Sequence, residues 1–148
     1  MARRHLSGFV LAACLAAVQG EALRADGEAS FSARLSPVPV ETATAPAVTG
    51  SGRATAELAG TTLTIKGTFE GLRSPATVAR LHNGPKGVRG PARFELTVTH
   101  DVKGALTASL ELTPAQVDEL KRTRFYIQIH SEKAPDGNLW GWLIPQER

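Results

Sequence analysis

The chain has 148 residues, of which 42% are hydrophobic and 21% charged; that suffices for one domain with one core and leaves no room for a second. The formal charge of +3 includes Arg3, Arg4 and Glu21, and without residues 1–22 the 17 basic and 14 acidic side chains become 15 and 13. Apart from Lys121-Arg122-Thr123-Arg124 the basic residues stand singly among acidic ones, so no nucleic-acid partner is expected.

Residues 1–5, MARRH, form a basic segment, and Leu6 to Val18 form an apolar stretch of the length of a signal-peptide h-region. Spanning a bilayer takes roughly 20 apolar residues, so no transmembrane helix is expected. Two processing routes stand open. The run Leu11 to Cys14, LAAC, resembles a lipobox and would make Cys14 the site of lipidation; Val18-Gln19-Gly20 and Gly20-Glu21-Ala22 each suit an ordinary signal peptidase. Either way residues 1–22 are expected to export the chain to the periplasm or beyond, with a membrane anchor only through Cys14. As Cys14 is the only cysteine, no intramolecular disulfide can staple the mature domain.

From Phe31 onward, short runs of period-two alternation are broken by Gly, Pro, Asn and Asp about every ten residues, which predicts an antiparallel β-sandwich or barrel. Strands are expected at Phe31 to Leu35, Arg53 to Leu58 and Thr62 to Phe69, the last with Leu63, Ile65 and Phe69 inward. Thr77 to His82 follows, running into a loop with Asn83-Gly84-Pro85 and Gly90-Pro91. Arg93 to Thr99 and Ala105 to Leu112 make a hairpin turning at Asp101 to Gly104. Thr113-Pro114-Ala115-Gln116 is a capping-box start for one short crossover helix, with Val117 and Leu120 toward the sheets. The last pair is Arg124 to His130 and Asn138 to Ile144, joined by a loop holding Ala134-Pro135-Asp136-Gly137. Phe125, Ile127 and Ile129 share one face, leaving Tyr126, Gln128 and His130 on the other; Trp140, Trp142 and Ile144 share a face, read as packing rather than a ligand platform.

Several of these runs, in this order, resemble the CHRD (chordin) domain family: Phe31 to Val40, Thr68-Phe69-Glu70-Gly71-Leu72, Ala79 to Pro85, Gly90 to Leu96, Tyr126 to Ser131 and Pro135 to Gly141. The resemblance covers residues 29–145. It implies a Greek-key β-sandwich module of extracellular and bacterial exported proteins, mostly without an assigned activity. Where the family often shows His-x-His, this chain has Arg80-Leu81-His82.

No catalytic constellation is found. His82, His100 and His130 are the histidines beyond the leader, and there is no GxSxG, HExxH, CxxC or phosphate-binding Gly-rich loop. Residues 71–82 and 129–134 bear a weaker resemblance to the copper-ligand segments of copper/zinc superoxide dismutase, with His82 and His130 on ligand positions. The expected function is therefore a non-catalytic binding or structural module of the cell envelope, with no cofactor and an unidentified protein or envelope component as partner. The alternative is a copper- or zinc-binding redox protein using His82 and His130. The candidate contact regions are the Asn83 to Gly90 and Ser131 to Asn138 loops.

Overall fold

The computed structural model describes residues 28–147, so the expected leader, residues 1–22, and with it Cys14, lie outside the described residues. Nine strands and one α-helix follow in order: β1 (Ala29–Pro37), β2 (Ser51–Ala59), β3 (Thr62–Glu70), β4 (Ala76–Asn83), β5 (Ala92–Val98), β6 (Gly104–Glu111), α1 (Pro114–Lys121), β7 (Phe125–Ser131), β8 (Ala134–Trp142) and the two-residue β9 (Ile144–Pro145). In β3 the alternation works as written, with Leu63, Ile65 and Phe69 buried and Thr64, Lys66 and Thr68 exposed. At α1 the Thr113 hydroxyl accepts from the Gln116 N–H while the Gln116 side chain accepts from the Thr113 N–H, satisfying two otherwise orphaned donors. Leu120 then docks that helix into the core.

The fold is all-β and antiparallel, but its hydrogen bonds do not leave two separate sheets. The order β1-β2-β3-β6-β5-β4-β7-β8 returns to β1 and closes an eight-stranded barrel. The sandwich expectation is corrected here, and the reason lies in two strands that change partner along their length. Residues Ala29 to Leu35 of β1 pair with β2, whereas Ser36 and Pro37 pair with Trp140 and Leu139 of β8. In β5, the residues from Ala92 to Leu96 pair with β4, and Thr97 and Val98 pair with β6. Each therefore carries the ladder around a corner.

Inside the ring lies one apolar core, including Phe31, Leu35, Leu63, Ile65, Leu81, Leu106, Phe125, Ile127, Ile129 and Leu139. A fully buried side chain of this kind contributes roughly 1.5–3 kcal/mol. β7 departs from the half-buried pattern, because every residue from Phe125 to Ser131 is buried. Its outer face is covered by a second cluster of Val38, Val48, Tyr126, Ala134, Trp140 and Trp142. The expected 131–138 loop shrinks to a turn at Glu132 and Lys133, after which β8 starts at Ala134. Ile144 leaves the tryptophan face, pairing instead with Ser32 of β1 and remaining exposed.

Candidate functional site

The outer face of β4, β7 and β8 is a grid set by register. Arg80, Gln128 and Trp140 form one row; His82, Tyr126 and Trp142 form the next; Val78 stands opposite His130. His82 and His130 are thus two rows apart, about 13 Å along the strands. Even so, their ring centroids lie 6.2 Å apart, so both rings lean over the Gln128 row. Register shifts flank both histidines, at Leu81/His82 against β5 and at Ile129/Ser131 against β8. Bulges of this kind re-aim side chains. The structure therefore brings together the two histidines singled out in the sequence, while His100 sits exposed in the turn after β5.

Each imidazole is held by a backbone carbonyl. His82 Nδ1 lies 2.9 Å from the Gly90 oxygen and His130 Nδ1 lies 2.8 Å from the Pro135 oxygen. A carbonyl can only accept, so both Nδ1 atoms carry the proton and each neutral ring presents the Nε2 lone pair. Burial lowers the pKa of both rings, the carbonyl bonds oppose this, and the positive charges of Arg80 and Arg89 lower both further; His82 adds to the lowering at His130. The histidines are accordingly neutral at pH 7.

Gln128 was grouped with this face in the sequence but given no role. Its amide N–H donates to the Asp136 carbonyl at 3.0 Å and stands 3.4 Å from His130 Nε2. Gly137 makes room for it: a Cβ there would come within 2.5 Å of Gln128 Nε2. Two buried side-chain atoms of the site have no hydrogen-bond partner, His82 Nε2 and Gln128 Oε1. Both are acceptors. Native interiors keep few such groups, because an unmet buried polar atom costs about 1–3 kcal/mol.

Two walls frame the face. The 84–91 loop is pinned by Tyr126, whose hydroxyl accepts from the Gly90 N–H at 2.9 Å, and by Trp142 Nε1, which donates to the Gly84 carbonyl at 3.0 Å. Gly90 admits no side chain, since a Cβ would fall 1.7 Å from the Asn83 oxygen. Arg89 spans the gap, donating to the Asp136 carbonyl at 2.9 Å with its guanidinium 5.8 Å from the Trp140 ring centroid. Trp140 and Trp142 meet edge to face at 4.7 Å, and both are largely buried. They pack the face, as read from the sequence.

Among the described residues, no three His, Cys, Asp or Glu side chains form a group that could hold a metal ion, and no helix is long and apolar enough to cross a membrane. An open depression of about 800 Å³ lies elsewhere, against Arg34, Arg53, Thr68 and Glu70 on the outside of β1 to β3. It contains none of the unpartnered buried atoms. Comparison with known families matches the CHRD domain over residues 31–143. Searches of the curated proteins and of the solved structures gave no match.

Proposed function

The chain belongs to the CHRD domain family, and from that premise we propose that it is an exported, non-catalytic binding module of the cell envelope that takes its ligand on the outer face of β4, β7 and β8. The observation that carries this reading is the pair of buried, unpartnered acceptors, His82 Nε2 and Gln128 Oε1, on a face bordered by the 84–91 loop, which Arg89 ties to Asp136 of β8. With both histidines neutral, the free groups present lone pairs, so the complementary ligand is a hydrogen-bond donor or a cation, contributed by an envelope component or a partner protein. The basic and apolar leader supports export to the periplasm or the cell exterior, with Cys14 as the anchor under the lipoprotein route. The order β7-β4-β5-β6 supports a Greek-key reading of this part of the ring, the α1 crossover bringing the two histidine-bearing strands side by side.

A second reading, copper or zinc on His82 and His130, is favoured by the two Nδ1 bonds to carbonyls, since a metal-bound imidazole typically gives its other N–H to such an acceptor. The residues fit such an ion as donors: two neutral imidazole nitrogens suit copper and zinc, and when bound the ion would act as a Lewis acid or electron carrier. The test is elemental analysis and copper titration of the purified protein beside a His82→Ala/His130→Ala variant. Stoichiometric uptake lost in the variant supports the metal reading. Equal uptake by both, or none, retires it and leaves the hydrogen-bond-donor ligand. Cell fractionation with and without Cys14→Ser tests export, and retention of the full chain in the cytoplasm would overturn the envelope assignment.

A further inference from the structure

We propose that the outer face of β1, β2 and β3 is a second binding site, separate from the histidine face, which takes an acidic polysaccharide by its carboxylate groups. The juxtaposition that carries it is Arg34 beside Arg53, two cationic side chains directly opposite each other with no carboxylate paired to either.

Register fixes the pair. Arg34 of β1 is opposite Arg53 of β2, which is in turn opposite Thr68 of β3, and all three are exposed. Side chains opposite each other on antiparallel strands have Cβ atoms about 5 Å apart, and like charges placed so destabilise a sheet. Among the described residues neither arginine has an ion-pair partner. The next row, Ser32, Thr55 and Lys66, adds a third exposed cation. The acids of these three strands, Glu57 and Glu70, stand one row beyond on either side. Local conflicts that a fold tolerates concentrate at functional sites.

The face is also hollow. The open depression of about 800 Å³ lies over the arginine pair, with the hydroxyls of Ser32, Ser51, Thr55 and Thr68 around it. A smaller hollow of about 290 Å³ shares Arg53, Thr55 and Thr68 and reaches Lys66. Together they form a shallow trough across the strands, which suits an extended chain better than an enclosed small molecule. Its exposed side chains are all polar, so it offers neither an aromatic platform for stacking bases nor an apolar edge to enter lipid. Guanidinium groups match carboxylates in shape and charge, and the Ser and Thr hydroxyls match those of a sugar. Glu70 accepts from a sugar O–H and repels a denser polyanion such as a polyphosphate.

The experiment is calorimetric titration of the purified protein with polygalacturonate, neutral dextran and phosphatidylglycerol vesicles, at low and high salt. It is run beside Arg34→Thr/Arg53→Thr, Lys66→Thr and, as a control with the same loss of charge at exposed positions elsewhere, Lys121→Gln/Arg122→Gln. Polygalacturonate is expected to bind, more weakly as salt rises. The double arginine variant is expected to bind it about ten-fold or more weakly, a factor that one lost charge-assisted contact carries, with a smaller loss in Lys66→Thr and none in the control. Because the like-charge pair is relieved, the double variant should resist denaturant at least as well as the wild type, which separates lost binding from lost folding. A wild type that does not bind polygalacturonate, or binds dextran as tightly, overturns the proposal, and so does undiminished binding by the double variant. Equal weakening in the control overturns it by making the attraction one of net charge, and binding confined to the vesicles overturns it in favour of lipid headgroups. A double variant that loses binding and stability together assigns the arginines to the fold and overturns it as well.

Discussion

The Arg89 guanidinium, in the loop after β4, donates to the Asp136 main-chain carbonyl in β8 across 2.9 Å, and so joins the two walls of the histidine face. Arg89 is exposed, so this tie is worth little to global stability. Arg89→Ala is expected to lower unfolding free energy by about 1 kcal/mol or less, while amide exchange in residues 86–90 quickens well beyond that of the β7 ladder. Chemical denaturation and hydrogen exchange check it; a large global loss with no local change would contradict this account.

Stability should fall on acidification before the carboxylates titrate. Both histidines have folded-state pKa values below the ordinary 6.5, so over that interval the unfolded chain binds more protons. Their contribution is complete above about pH 6.5 and is lost as the pH drops toward the folded-state values. Glu111, held below 4.5 by Thr61 and Thr62, loses its contribution only in more acid solution. Denaturant midpoints at pH 7.5 and 5.5 for the wild type and a His82→Gln/His130→Gln variant would separate the two, the variant being flatter across that range.

Arg80→Gln should raise the pKa of both rings, because Arg80 acts on each. Its ion pair to Glu95, at 3.9 Å between exposed side chains, carries little stability. Proton NMR of the imidazole signals against pH reads the shift directly. If the face takes a cation, the same substitution should tighten zinc binding several-fold, and weaker binding would contradict the electrostatic account.

Trp142→Phe keeps an aromatic ring against Tyr126 but removes the Nε1–H that donates to the Gly84 carbonyl. Gly84 is buried, so the carbonyl is left unmet at a cost of about 1–3 kcal/mol. Thr113→Ala, which removes the α1 cap, should cost about 0.5–2 kcal/mol, and Leu120→Ala in the same helix about 2–5 kcal/mol. Thermal or chemical unfolding of these variants tests the ranking.

Much of this was legible in the sequence for physical reasons that are local. The period-two runs at Leu63, Ile65 and Phe69, the Thr113-Pro114-Ala115-Gln116 cap, and the sharing of one face by Tyr126, Gln128 and His130 all follow from backbone geometry alone. Ring closure was not, because it depends on β1 and β5 changing partner midway, and alternation marks faces without naming neighbours. The start of β8 was hidden by Pro135, Asp136 and Gly137, which usually write a turn but here lie within a strand. Gln128 gave no sign of its own: its amide matters only because the rings of His82 and His130 lean over it, and that depends on bulges in two ladders.

The closure of β1 also sets an order of events. Its flank opposite β2 is sealed by Leu139 and Trp140 of β8 and by Ile144 and Pro145 of β9, so the first strand to be made waits for nearly the last residues of the domain. Such distant pairings slow folding. A growing chain that stops short of residue 139 carries β1 with an open flank and no finished barrel, which keeps it pliable until the whole domain is present.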